Sequence, residues 1–429
     1  MAARGWRVHV IAATRAPGRA QGSEIRSQLP GGGWLIRRVN NLPWRPLGRG
    51  ERDPETEARV RALVAELDPQ VIHIQHLLFL SAHLSFDRPT LGTLHDAWAV
   101  CPRAGSLLRD GREPCAGPPP ATSSAPGHAP QGYATEDYAT LANCAACYAG
   151  MATGAAAEHA LGRLAGAASP LVPTRALHRA WRRLPPSVRG LSAVGRPRQA
   201  SSDEVAKWRA AVSGAWRRLD ERVAPSRWYA ALAERHGLGE TAHLPHGVDP
   251  GPPRVGGGPL IFLGSLVPHK GAHLVVAAHA AARAAAPDTP PLRLVGPATD
   301  PVYAASLPAE LLDGPAPPAE VPALLARASA LVIGSTWPEN APLVVLEARA
   351  SGCPVIAPAI GGLPELIEDG VDGALYTPGD AASMASAIRR VLANPPPVRA
   401  PPSFTGHLDA LEARYRFLIQ RAASSPSLE

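Results

Sequence analysis

The chain has 429 residues, of which 45% are hydrophobic and 18% charged, so it is too long for one compact core and too apolar to be disordered or fibrous. Its net charge of +7 suits an acidic partner such as a nucleotide diphosphate, an anionic membrane face or nucleic acid, and charge alone selects none of these. No apolar run reaches the roughly 18 residues of a membrane-spanning helix. The run Val8 to Ala13 is short for a secretory core, and five cysteines do not make a disulfide scaffold at this size, so a cytoplasmic protein is expected.

Met1 to Arg7 reads as the tail of a helix ending at Gly5 and running into a strand. That start implies a strand, loop and helix upstream, about 25 to 30 residues on typical element lengths, and hence an incomplete first lobe. Apolar strand patterns follow at Val8–Ala12, Val71–Ile74, Thr90–Leu94, Val223–Pro225, Leu260–Leu263, Leu292–Val295, Leu331–Ile333 and Val355–Ala357. Helical patterns lie at Glu55–Leu67, Val205–Leu219, Gly271–Ala286, Ala381–Leu392 and Leu408–Ile419. The alternation predicts parallel α/β sheets. Residues 116–132 are of low complexity and read as a loop, while the Pro- and Gly-rich stretch 250–259 separates two α/β blocks. The expected organisation is a first lobe over 1–249, a second over 250–403, and a C-terminal helix and tail over 404–429 that packs back on the first lobe. Ligand is expected in the cleft between the lobes, at the carboxyl ends of the strands.

In the first block, His95 and Asp96 end a strand at the level of that cleft. A histidine there is more often structural than chemical when taken alone. Cys101, Cys115, Cys144 and Cys147 follow, the last two as Cys-Ala-Ala-Cys. Four such thiolates can hold a structural zinc, and a loose set of buried thiols is the alternative. Residues 175–218 interleave arginines with Trp181, Trp208 and Trp216, which fits either a peripheral membrane contact or a solvated basic helix pair with core-facing tryptophans.

The second block carries the sharper pattern. The strand before Gly264 opens into Ser265-Leu-Val-Pro-His-Lys270-Gly271, where a lysine can cap a diphosphate and neutralise charge as it leaves. Downstream, a buried strand runs into Ser335-Thr-Trp-Pro-Glu339-Asn340-Ala341-Pro342, and a helix then carries Glu347. Carboxylates accept from sugar hydroxyls, and free amides at a helix start hold phosphate. Pro342 falls where a first-turn proline belongs.

Two glutamates with seven residues between them, followed by a helix end, a strand and Gly361-Gly-Leu-Pro-Glu365, resemble the signature of the family 4 retaining glycosyltransferases. The resemblance covers most of residues 1–420 and is sparse between 100 and 220. It implies the GT-B architecture, α/β with two Rossmann-like lobes of parallel sheet and helices on both faces. It also implies transfer of a sugar from a nucleotide-sugar donor to a glycan or lipid-linked acceptor, with retention of configuration and no required metal, as in polysaccharide biosynthesis. By the same resemblance Glu339 contacts the transferred sugar, Glu347 holds the ribose hydroxyls, and the amides of Asn340 to Leu343, with Val344 beside them, hold sugar and distal phosphate. Gly264, Ser265 and Lys270 line the diphosphate, and His95 sits beside the donor sugar. The family usually places an arginine where Ser265 stands, which puts full stabilisation of the leaving group in doubt. The main alternative is a degenerate protein that binds a nucleotide sugar without turnover. A sugar-nucleotide epimerase and a nucleic-acid binder are further readings, the latter disfavoured because the arginines are spread along the chain. A two-carboxylate glycosidase is rejected, because a ribose would occupy Glu347.

Overall fold

A computed structural model describes residues 1–39 apart from Arg15, Pro17 and Gln21, residues 53–101 apart from 77–80 and 82, residues 108–109, 113–115 and 144, and residues 201–424. The low-complexity stretch 116–132, Cys147 and Trp181 lie outside the described residues.

The chain begins with a short 3-10 turn, Ala2–Arg4, closed by Gly5 at φ 86, followed by strand β1 (Val10–Thr14), β2 (Glu24–Gln28) and β3 (Trp34–Val39). The first strand starts two residues later than its apolar run. β1 pairs parallel with β3, and β2 pairs antiparallel with β3. Sequence patterning missed β2 and β3, because arginine and glutamate break their apolar alternation. Those charges are used on the helix α1 (Pro54–Leu67): from β2, Glu24 pairs with Arg59 and Arg26 with Glu66, and from β3, Arg38 pairs with Glu55. Helix α1 starts where the Asp53 side chain accepts from the Thr56 amide, with Pro54 in the first turn.

A second sheet of the same lobe follows, with β4 (Ile72–Ile74) and β5 (Thr90–Thr93) joined later by β8 (Glu221–Ala224) and β9 (Ala242–His243) in the order β4-β5-β8-β9, all parallel. Between them come the short hairpin β6 (Leu108–Arg109) and β7 (Glu113–Pro114), the helix α2 (Ser202–Arg217) and, after β8, α3 (Arg227–Arg235). Helix α2 opens on a reciprocal capping box between Ser201 and Glu204. Its Trp208 and Trp216 are only 4% and 3% exposed and sit in the lobe's core with Val205 and Val212. Two of the three tryptophans that fitted a membrane contact are therefore core residues: a helix packed on an apolar core turns its large aromatics inward, and of its arginines Arg209 is buried with them while Arg217 stays exposed.

The second lobe is one six-stranded sheet in the order β12-β11-β10-β13-β14-β15, with every pairing parallel. Its strands are β10 (Leu260–Leu263), β11 (Leu292–Val295), β12 (Leu312–Gly314), β13 (Ala330–Val332), β14 (Val355–Pro358) and β15 (Gly373–Tyr376). Period-two alternation divides these apolar runs between two cores. Leu260, Phe262, Val332 and Ile356 pack under helices α4 (Ala272–Ala285) and, further along, α6 (Ala381–Ala393). Ile261, Leu331 and Val355 face the other way, onto Val345 of α5 (Leu343–Ala350). Each large aliphatic buried this way contributes about 1.5–3 kcal/mol of transfer free energy. The Pro- and Gly-rich stretch 250–259 has no regular structure, yet it is fastened to the second lobe through Gly251, Val255, Gly256 and Gly258 amides bonded to carbonyls of Ala350, Ala326 and Arg327. The last helix, α7 (Phe404–Ser424), places Leu411, Tyr415 and Leu418 against Leu91, Val223 and Leu244 of the first lobe.

Candidate active site

The carboxyl ends of β10, β13 and β14 and the start of α5 converge on one spot. Gly271 closes the β10 loop at φ 68, and a Cβ placed on it would lie 1.9 Å from the Gly334 carbonyl oxygen. Only glycine allows this crossing, which lays the loop directly on the end of β13. The Thr336 amide then donates to the His269 carbonyl at 2.9 Å. In consequence Lys270 Nζ reaches Glu339 Oε1 at 2.6 Å and lies 4.8 Å from the centre of the Trp337 ring. The Ser335 hydroxyl donates to the same carboxylate oxygen at 2.5 Å. Glu339 is 7% exposed, and its backbone carbonyl accepts from the Gly362 amide at 2.7 Å. His269 packs its ring 4.7 Å from Trp337, and burial, with help from Lys270, lowers its imidazole below the ordinary value.

Pro342 occupies the N-cap of α5, one residue before the first turn, with no side-chain cap. The Leu343 and Val344 amides that follow have no carbonyl inside the helix to pair with, and a helix start of this kind favours negative charge. Glu347 sits about one and a half turns along the same helix. It is half-buried, and desolvation raises its carboxyl above the usual range. Gly264 ends β10, its amide donating to the Val295 carbonyl at 3.0 Å, and Ser265 follows it into the loop where its carbonyl accepts from Val267 at 3.0 Å. The resulting surface offers one ammonium, two carboxylates and an uncapped helix start, arranged as a diphosphate sugar would need them.

The first lobe meets this surface at His95. The Asn340 side-chain amide donates to the Leu94 carbonyl at 2.9 Å and to the His95 carbonyl at 3.1 Å. The His95 ring bonds Gln75 at 2.5 Å and stacks on His246, with ring centres 5.7 Å apart. Desolvation lowers the His95 imidazole, against the pull of Asp96. Asp96 itself is engaged within the first lobe, where it accepts from the Trp98 amide at 2.8 Å and pairs with His76 at 3.1 Å. Behind them His73 bonds Tyr415 of α7 and Thr93, and burial pushes its imidazole down to about 4.

Sequence reading missed Ser335, Trp337 and His246, which the structure brings to the same cleft. Ser335 four residues before Glu339 is the one with a readable signal, since a hydroxyl at that spacing can hold a carboxylate. Cys101, Cys115 and Cys144 are all buried in the first-lobe core. Among the described residues no group of three or more histidine, cysteine or acidic side chains is arranged to hold a metal, and among them no helix is long and apolar enough to cross a membrane.

Two α/β lobes of parallel sheet and helices facing one cleft define the GT-B architecture. A sucrose-phosphate synthase from Thermosynechococcus elongatus shares this fold at a TM-score of 0.52 and 17% identity, over 98% of this chain and 86% of that one. The profile "Glycosyl transferases group 1" matches residues 256–402, and "Glycosyltransferase Family 4" matches residues 1–116. Each lobe of the chain thus matches a glycosyltransferase family model, the first over residues 1–116 and the second over residues 256–402. A glycogen synthase of Mycobacterium tuberculosis is 34% identical over 173 residues, 37% of this chain and 41% of the relative. A D-inositol 3-phosphate glycosyltransferase of Geodermatophilus obscurus is 46% identical over 67 residues, 16% of this chain and 15% of the relative. The chain thus matches well under half the length of these curated relatives.

Proposed function

We propose that the cleft binds a nucleotide-sugar donor and passes its sugar to a hydroxyl of a glycan or lipid-linked acceptor, with retention of configuration. The observation that carries this reading is the Lys270–Glu339 pair set 2.6 Å apart beside the uncapped start of α5, with Glu347 further along the same helix. The diphosphate docks on the Leu343 and Val344 amides, and Lys270 turns from Glu339 towards the leaving phosphate. Glu339 then accepts from a sugar hydroxyl while Ser335 keeps it in place. Glu347 gains hydroxyl partners from the ribose, which offsets the desolvation that raises its carboxyl.

In the transfer the bond from the anomeric carbon to the phosphate oxygen breaks, and its electron pair leaves with the nucleoside diphosphate. The acceptor oxygen bonds to the same face of that carbon, and its proton passes to the departing phosphate. His95 lies where the sugar meets the acceptor lobe, and its lowered pKa keeps the ring neutral and able to hydrogen-bond at neutral pH. The names of the similar proteins, a glycogen synthase and an inositol-phosphate glycosyltransferase, favour a sugar transferase over an epimerase. A second reading, a protein that binds the donor without turnover, is favoured by Ser265 in place of a second cation. Calorimetry with UDP-, GDP-, ADP- and TDP-linked sugars, followed by assay for released nucleoside diphosphate, tests both. Binding with release only in the presence of an acceptor supports transfer, binding with no release supports the second reading, and no binding by any donor removes both.

A further inference from the structure

Consecutive residues of the donor motif point into opposite lobes. Glu339 faces Lys270 and Ser335 of its own lobe, while Asn340 reaches across the cleft and is 8% exposed. Its Oδ1 accepts from the Ser226 hydroxyl at 2.7 Å, and its Nδ2 donates to the Leu94 and His95 carbonyls at 2.9 and 3.1 Å. Ser226 in turn accepts from the Tyr229 amide at 3.2 Å as the N-cap of α3. Every donor in this network meets an acceptor, which fixes which end of the amide is which. The same helix end is held a second time. Glu365 accepts from the Arg227 and Trp228 amides at 2.8 and 2.6 Å, and the Tyr229 hydroxyl donates to the Pro338 carbonyl at 3.2 Å. Gly362 makes the close approach feasible, since a Cβ there would lie 2.1 Å from the Asn340 carbonyl oxygen and 2.8 Å from Ser226 Cβ.

We propose that Asn340 is a positioning residue, the pin of an interlobe latch that sets His95 of the first lobe opposite Glu339 and Lys270 of the second. The inference rests on the transferase reading for its effect on turnover, and on geometry alone for its effect on lobe register. An amide is required for chemical reasons. It must give two hydrogen bonds to carbonyls on one side and take one from a hydroxyl on the other, and of the side chains of this size only asparagine does both. Aspartate has nearly the same shape but sets an anionic oxygen against two carbonyl oxygens, so it reverses the attraction without making a cavity. Because the pin is adjacent in sequence to Glu339, any shift between the lobes moves the carboxylate and His95 relative to each other, and misplacement of that kind costs rate more than binding. In the proposed reading the diphosphate and ribose rest on Lys270, Glu347 and backbone amides of the second lobe, whereas the latch uses only the Asn340 side chain and leaves its amide in place, so donor affinity is expected to change less than turnover.

The test uses the full chain as wild type, Asn340→Asp, Asn340→Ala, Ser226→Ala and the double variant Asn340→Ala with Ser226→Ala. Donor affinity is measured by calorimetry, turnover by nucleoside diphosphate release, amide hydrogen exchange at 227–229 by mass spectrometry, and lobe separation by small-angle X-ray scattering. Asn340→Asp is expected to lower kcat by ~10–100-fold with donor Kd within about three-fold of wild type, to speed exchange at 227–229 and to raise the radius of gyration. Ser226→Ala is expected to do the same more weakly. Adding Asn340→Ala to it is expected to cost less than the two separate changes combined, as members of one network do. A scattering curve and exchange pattern identical to wild type in Asn340→Asp overturn the latch whatever the kinetics show, as does a loss of kcat matched by an equal loss of donor affinity. Should no donor bind wild type, the transferase reading fails and the scattering and exchange measurements still decide the latch. If Asn340→Asp proves poorly folded by its melting curve, Ser226→Ala, which removes the hydroxyl's bond to Asn340 together with the Tyr229 cap, decides it by the scattering curve and by exchange at Arg227 and Trp228, whose amides bond Glu365 instead.

Discussion

The two lobes present the cleft in different ways. The second lobe is a single sheet of six parallel strands, and the donor surface it carries comes from one contiguous stretch, Leu260 to Glu365, closed by glycine crossings at Gly271 and Gly361–Gly362. The first lobe is divided into sheets of three and four strands plus a hairpin, and it meets the donor surface through backbone carbonyls and neutral imidazoles from β4, β5 and the segment after β9, with α7 behind them. On the proposed function, the difference follows from the ligands. A diphosphate is recognised by a fixed geometry of amides and one cation, which a short motif can encode whole. An acceptor hydroxyl is met by groups whose relevance exists only once the lobes are docked.

Four perturbations sharpen that contrast. Lys270→Ala removes the only cation that reaches Glu339 among the described residues and is expected to lower kcat by ~100–1000-fold, as loss of one oxyanion-stabilising donor does, read from nucleoside diphosphate release. An unchanged kcat would break the assignment of leaving-group stabilisation to the second lobe. Next, Gly271→Ala forces a Cβ into the Gly334 carbonyl and into a left-handed backbone, so the loop must withdraw; about 2–4 kcal/mol of stability is expected to be lost in urea titrations. A loss below about 0.5 kcal/mol would show that the crossing is not rigid.

Glu347→Ala is expected to weaken donor affinity by about 10-fold or more through loss of charge-assisted bonds to the ribose, as followed by calorimetry. Desolvation raises this carboxyl in the folded protein, so the folded state holds its proton more tightly than the unfolded chain does. The ionised group therefore opposes folding at neutral pH, and Glu347→Gln is expected to leave the melting temperature of the unliganded protein unchanged or higher. A clear drop would mean that the group supports the fold instead.

The smallest effect belongs to the first lobe. His73 titrates near 4 when folded and near 6.5 when unfolded. As pH falls from 6.5 towards 4 the unfolded chain takes up a proton that the folded chain refuses, so stability is lost across that window and is intact above it. After discounting for partial exposure this amounts to on the order of 1–2 kcal/mol. His246, also lowered to about 4 by burial beside His95 and His407, adds to it. His73→Gln is expected to flatten the melting temperature between pH 6.5 and 4.5 relative to wild type, and an equally steep profile would place the acid sensitivity elsewhere.

Much of the second lobe was legible from the residues alone. Leu260–Leu263 and Leu292–Val295 coincide with their strands because each is a largely apolar run flanked by turn formers, interrupted only by the exposed Arg293. Glu347 fell where the helix pattern placed it. By contrast β2 and β3 were hidden, because the charges of β2 answer to Arg59 and Glu66, and Arg38 of β3 to Glu55, on a helix further along the chain. The tryptophans of α2 carried no sign of which side they would face.

What the sequence by itself determined is the part held by local rules: the apolar period that makes the parallel strands, the glycines that only a left-handed or crowded backbone requires, and the two carboxylates, one in the loop before α5 and one along that helix. Tertiary structure alone decided that Lys270 closes on Glu339, that Asn340 turns from the donor to the opposite lobe, and that four histidines from β4, β5, the segment after β9 and α7 gather behind the cleft. Those contacts join residues 69 to 342 positions apart, and no pattern along the chain encodes a distance of that kind; it is set by how the two lobes bury their faces together.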